Sequence, residues 1–143
     1  MIREFRDNDS DACCRMAVED WNAVLRGGYP PDVADQFIAR YTPGQFSATN
    51  RVDRIYLVED DSEILAFASM RERQEGAEIK RFFVKQHSIG RGVGAELMGF
   101  LFDWYSGMRL TVKSTKNAVG FYQKHGFEIT SEAENGYWLE AET

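Results

Sequence analysis

From Glu78 to Tyr105 the chain reads as strand, glycine-rich turn, then helix, and few folds accommodate that order with glycines so spaced. Ile79, Phe82, Phe83 and Val84 give the strand its β-branched and aromatic weight. Gly90, Gly92 and Gly94 then occupy every second position where a helix must begin. From Val93 onward, Val93, Leu97, Leu101 and Trp104 recur at helical spacing, with Met98, Phe102 and Tyr105 on another side. Only Glu96, Gly99 and Asp103 leave a polar stripe, so the helix is expected to be buried on most of its circumference. The first turn of a helix carries unpartnered N–H groups and partial positive charge. Glycines remove the Cβ atoms that would hold a ligand away. The predicted ligand therefore bears phosphate, and Arg91 adds a cation inside the loop.

The loop Gly90-Arg-Gly-Val-Gly-Ala is G-x-G-x-G. It is neither the G-x-G-x-x-G of a dinucleotide fold nor a P-loop. An antiparallel hairpin ahead of it, Arg54 to Glu59 and Ile64 to Met70 around Asp60-Asp61-Ser62, is also foreign to a Rossmann unit, which requires βαβ there. What it resembles is the acyl-CoA-binding motif of the GNAT superfamily of N-acyltransferases, Gln/Arg-x-x-Gly-x-Gly/Ala, with Ile89, Gly92 and Gly94 at the three marked positions. Ile89 departs from the preferred Gln or Arg. A second motif, Asn117-Ala-Val-Gly-Phe-Tyr-Gln-Lys-His-Gly-Phe127, resembles the C-terminal GNAT pattern of Asn, an aromatic-Tyr pair, then Gly-Phe. The two motifs stand in the family's order. The N-terminal third is matched by layout alone.

The resemblance implies one domain over residues 1–143 with the GNAT fold. That is an α/β layered arrangement with a mixed, mostly antiparallel twisted sheet of six to seven strands and about four helices. Two central parallel strands are splayed to admit CoA. It implies transfer of an acetyl group from acetyl-CoA to a primary amine by direct attack in a ternary complex. The rival is a catalytically silent acyl-CoA sensor of the same fold. The cofactor contacts carried over are Phe82, Phe83, Val84, Ile89, Gly90, Arg91, Gly92, Val93, Gly94, Ala95 and Asn117. The backbone of Phe82 and Val84 is expected to pair with the pantetheine amides like an added strand. Tyr122, by spacing a core aromatic on a helix, becomes the proton donor to the departing thiolate. Glu78 becomes the base, at the offset where histone-acetylating members carry a strand glutamate. A water chain is the alternative. Simple alternation puts Glu78 on one face with Lys80, Phe82 and Val84.

The remaining sequence sets bounds. A chain of 143 residues is one domain by length, and 43% hydrophobic content supplies a core. The net charge of −6 argues against a nucleic-acid surface and makes the phosphate site a local feature. It also tolerates a cationic, amine-bearing acceptor, whether small molecule, peptide or protein. Cys13 and Cys14 are adjacent and read as reduced thiols in a cytoplasmic protein. No metal-ligand spacing and no long apolar run occurs. Dimers are common in the superfamily, so a homodimer is open.

Along the chain, Met1 to Phe5 reads as a strand. A helix capped at Asp9 or Ser10 runs to about Leu25, with Cys13, Ala17, Trp21 and Val24 on one face. Pro30-Pro31 opens a second helix marked by Val33, Phe37 and Tyr41. Residues 43–53 read as a loop. Met108 to Val112 is a strand expected to run parallel to Glu78–Val84. A helix follows from Ser114–Asn117 to Gly126, and Phe127 to Thr130 and Tyr137 to Ala141 close the sheet. Lys85, Lys113, Lys116, Lys124 and His87 are further candidates around the cofactor.

Overall fold

The computed structural model describes residues 1–49 and 52–143. Its frame is one seven-stranded sheet in the order β1-β2-β3-β4-β5-β7-β6. The strands are β1 Ile2–Glu4, β2 Arg54–Asp60, β3 Glu63–Arg73, β4 Gly76–Val84, β5 Arg109–Thr115, β6 Glu128–Ala133 and β7 Gly136–Glu142. Neighbouring strands run antiparallel except β4 and β5, which are parallel. Five α-helices join them: α1 Ser10–Asp20, α2 Pro31–Ile38, α3 Pro43–Thr49, α4 Val93–Trp104 and α5 Val119–Lys124.

The turns follow local chemistry. Asp61 and Ser62 take positive φ in the β2–β3 hairpin, and Asn135 does so between β6 and β7. Pro31 sits in the first turn of α2, where its missing N–H costs nothing. Gly126, at φ +93°, ends α5.

Two apolar layers sandwich the sheet. On one side Val93, Leu97, Met98 and Leu101 of α4 and Tyr122 of α5 pack on Ala66, Ala68, Ile79, Leu110 and Val112. On the other, Cys13, Met16, Ala17, Trp21, Ala34 and Phe46 from the first three helices pack on Ile55, Leu57, Phe67 and Phe83. Trp21 stacks on Phe37 with ring centroids 4.8 Å apart. The side chain of Val24 lies outside the described ones.

Three expectations change. Residues 43–49 form α3 rather than a loop, because Phe46 is fully buried against Phe67 and anchors a helical turn. Asn50 and Arg51, in the same stretch, lie outside the described residues. Trp104, expected on the buried side of α4, is 58% exposed and stacks on Phe100. In the helix's last turn Leu101 and Tyr105 are buried in the core and Phe102 packs partly against it, while Trp104 lies over Phe100 and Tyr56 with its outer side open. Finally, β4 does not alternate simply. Ser69 pairs with Arg81 but Met70 pairs with Ile79, leaving Lys80 as an extra residue in a bulge. Ala77, Ile79, Phe82 and Val84 therefore share the α4 face. Glu78 falls instead on the opposite face, with Arg81 and Phe83.

Candidate active site

Parallel pairing of β4 with β5 runs from Gly76↔Arg109 to Ile79↔Val112 and stops. Beyond that level Lys80–Val84 and Lys113–Thr115 diverge. The bulge at Lys80 starts the divergence by turning the strand where its ladder to β5 ends. Phe82 and Tyr122 stand over the gap, ring centroids 6.2 Å apart.

A cavity of about 410 Å³ opens on the glycine-turn side of the gap. Phe82, Phe83 and Val84 form its floor, Ile89, Gly90, Gly92, Gly94 and Ala95 one wall, and Asn117, Ala118, Phe121, Tyr122, Lys124 and His125 the other. Gly90 and Gly92 hold φ of +82° and +83°, which side-chain-bearing residues rarely adopt. Gly92 occupies the N-cap of α4 and brings no side-chain cap to the helix's opening amides. Gly94 is needed for another reason. A Cβ there would meet the Phe121 ring at 3.1 Å and Val84 Cγ2 at 3.4 Å, so the α4–α5 contact depends on its absence. These features fit a ligand bearing phosphate: an N-terminal helix turn, bare backbone and room beside it.

A second cavity, about 140 Å³, lies on the other side of the gap. It is lined by Trp21, Phe37 and Tyr41 from the N-terminal helices and by residues 79–83 and 112–115 from the two diverging strands. Phe82, Phe83, Ala118 and Tyr122 line both cavities. A group held over Tyr122 is thus reachable from two sides.

Tyr122 is 5% exposed, and burial raises its phenol above the ordinary range, so it is protonated at neutral pH. Burial pushes the Asp20 carboxyl up to about 6, against a lowering hydrogen bond from Gln86 Nε2 at 2.8 Å. Asp20 ends α1 and lines the larger cavity. His125 is lowered by burial and then by the Lys124 charge. Asn117 lies beside the backbone of Gly28, and the Tyr29 hydroxyl accepts from Lys116 N at 3.2 Å while donating to Asn135 O at 2.8 Å. These bonds tie the α1–α2 connection to the β5–α5 turn and fix the cavity mouth.

Of the residues singled out from sequence, Phe82, Phe83, Val84, Ile89, Gly90, Gly92, Gly94, Ala95, Asn117 and Tyr122 converge on the larger cavity. Val93 is buried in the core, and Arg91 is not part of the cavity's lining. Glu78 lines neither cavity; it is bound by Arg73 at 2.6 Å and Lys80 at 3.3 Å. Although burial opposes it, those two cations hold its carboxyl below the usual range. Lys85 and His87 both engage Glu63, at 2.8 and 3.1 Å, outside the cavity, whereas Lys124 lines it. Asp20 and Arg81 escaped notice in the sequence. A carboxylate at a helix end and an arginine in a strand carry no spacing signal.

A sequence model of the GNAT acetyltransferase domain matches residues 51–129. No curated protein matches the chain. Among solved structures, the PaiA N-acetyltransferase of Thermoplasma acidophilum, crystallised with coenzyme A, superposes with a TM-score of 0.79 at 20% identity. The match covers 100% of this chain and 98% of that one. A GCN5-related N-acetyltransferase of Rhodopseudomonas palustris gives 0.85 at 16% identity, over 100% and 95%. The ribosomal-protein-S18-alanine N-acetyltransferase of Escherichia coli gives 0.70 at 14% identity, over 99% and 92%. More than half of the sequence matching the domain, and the splayed seven-stranded sheet with its glycine turn, lead to one conclusion: the chain belongs to the GNAT acetyltransferase family.

Proposed function

We propose that this domain transfers an acetyl group from acetyl-CoA to a primary amine, by direct attack of the amine on the bound thioester. The observation that carries the reading is the junction at Tyr122. A cavity fitted for a phosphate-bearing donor meets a second cavity, lined by aromatic side chains, through the β4–β5 gap.

In this reading the pyrophosphate lies on the Gly90–Ala95 turn and the pantetheine arm runs along Phe82–Val84 as an added strand. Backbone N–H at the bulge polarises the thioester carbonyl as negative charge develops. Attack forms the C–N bond, the C–S bond breaks, and the Tyr122 phenol gives its proton to the leaving sulfur. The attacking amine must shed a proton, since a free alkylammonium titrates near 10.4. Asp20, with a carboxyl near 6 facing the cavity, is better matched to take it than Glu78. Glu78 is held ionised by Arg73 and Lys80 and lines neither cavity. The setting proposed is the cytoplasm, where the free thiols Cys13 and Cys14 stay reduced. Among the described residues no helix is long and apolar enough to cross a membrane, and no side-chain cluster could hold a metal.

Calorimetric titration with acetyl-CoA, desulfo-CoA and ATP tests the donor site, and thiol release with an amine panel tests transfer. Binding of acetyl-CoA without turnover of any amine would favour a sensor. No binding by the folded protein at millimolar concentration would end the acyltransferase reading.

A further inference from the structure

On the sheet face that carries the acceptor-side cavity, the cations are neutralised with two local exceptions, Arg81 and Lys113. Arg71 binds Asp53 at 2.7 Å, and Arg73 and Lys80 bind Glu78 at 2.6 and 3.3 Å. Arg81, next along β4, has no carboxylate partner among the described residues. Its guanidinium lies over the rings of Tyr41 and Phe46, at 5.2 and 5.0 Å from their centroids. Its Nη1 is buried without a hydrogen-bond partner. Lys113, from the facing strand, joins Arg81 in the lining, and neither makes an ion pair among the described residues. The lining contains no Asp or Glu. In a chain with 23 acidic and 17 basic residues, a cavity with uncompensated positive charge is not an accident of composition.

A guanidinium packed against two neighbouring aromatic rings is restricted in orientation and keeps its donor edge for a partner on the open side. Such an edge matches a planar carboxylate, which takes two parallel N–H···O bonds. Trp21, Phe37, Tyr41, Ile79, Phe82 and Val112 give the lining an apolar part that favours an apolar body, beside the polar Lys80, Ser114 and Thr115. Arg81 does not line the glycine-turn cavity, so its charge is not spent on the donor's phosphates. We infer that the acceptor is a small primary amine carrying a carboxylate and an apolar side group, an apolar amino acid in chemical class, with Arg81 as its carboxylate anchor. The inference rests on the acyltransferase reading above. Arg81 would grip the carboxylate while the amine extends past Phe82 toward Tyr122 and Asp20, where the larger cavity begins. Arg81 then sets specificity, and a neutral amine of the same shape leaves its guanidinium without a carboxylate partner.

The test uses matched pairs that differ only in the carboxylate: leucine against isopentylamine, and phenylalanine against phenethylamine. Acetyl-CoA binding is first measured by calorimetry on wild type, Arg81→Gln and Arg81→Lys. Initial rates of thiol release then give kcat/KM for each amine. Wild type is expected to prefer each acid by about tenfold or more. Arg81→Gln is expected to abolish that preference by lowering kcat/KM for the acids about tenfold more than for the decarboxylated amines. Arg81→Lys, which keeps charge but loses the fork, should fall between. Should Arg81→Gln fail to fold, wild type alone decides, because 3-phenylpropanoate should compete with the amine and 3-phenylpropanamide should not. Equal or better turnover of the decarboxylated amines overturns the inference, as does a preference that survives in Arg81→Gln. Acetyl-CoA binding with none of the four amines acetylated also overturns it but leaves the donor site standing. Absence of acetyl-CoA binding defeats the acyltransferase reading itself.

Discussion

The two cavities that meet at Tyr122 are built from different materials. The donor side is largely backbone: residues 82–95 turn from strand to helix within one continuous segment, and its function depends on Cβ atoms that are missing. The acceptor side is made of side chains, drawn from the turn after α1, from α2 and the residues after it, and from β4, β5 and α5, between Trp21 and Tyr122. A backbone cradle serves one ligand chemistry across many sequences, since any residue's N–H is equivalent. A side-chain cavity is specified by every residue that lines it. The donor side is therefore expected to tolerate conservative change except at its glycines, and the acceptor side to convert single changes into changes of substrate.

Gly92→Glu breaks the donor side most severely. It forces a side chain onto φ +83° and aims a carboxylate at the phosphates. Acetyl-CoA affinity should fall by roughly 100-fold or more, the scale of a like-charge clash at a binding surface. Calorimetry beside a circular dichroism spectrum measures it, and retained binding would mean that the phosphates lie elsewhere.

Tyr122→Phe sharpens the comparison at the junction. Loss of a proton donor should lower kcat by about 10²–10⁴ while acetyl-CoA affinity is unchanged. If thiol release kept its rate, the phenol would serve packing alone, against Phe82 and Phe127.

Asp20→Asn should move activity and stability in opposite directions. The folded carboxyl titrates near 6, above the unfolded value near 3.9, so the native state holds the extra proton between them. Its stabilising contribution is complete below the unfolded value and is lost as pH rises through about 6. The variant, which cannot ionise, should melt higher than wild type at pH 7.5. It should also lack the acidic limb of the rate profile. Retention of that limb in Asp20→Asn but loss in Glu78→Gln would return the base to Glu78.

The smallest effect is expected from Glu78→Gln on stability. Its carboxyl is depressed by Arg73 and Lys80, so its contribution is present above the ordinary carboxylate range and disappears as pH falls through the lower folded value. Arg73 is more than half exposed, so the loss at pH 7 should be about 1 kcal/mol or below. Urea melts at pH 7 and at pH 3 should differ from wild type only at the higher pH.

The same contrast explains what could be read early. The strands, the glycine turn, α4 and the parallel pairing of β4 with β5 follow from patterns that repeat within a few residues. Glu78 was put on the wrong face because period-two alternation has no way to register the bulge at Lys80. That bulge arises from pairing with β3, a partner distant in sequence. Helical spacing assigns Trp104 to the core because it records an apolar face, not how completely each residue of that face is covered.

By itself, then, the sequence determined the elements and the donor motif, since a helix N-terminus with glycines at positive φ is local chemistry. Only the tertiary structure decided which side chains face the gap. It brought Asp20, at the end of α1, against Gln86, and left Arg81 over Tyr41 and Phe46 without a carboxylate. The physical reason is that burial raises the Asp20 carboxyl and withholds a partner from Arg81 only when distant segments pack together. No spacing along the chain encodes that packing.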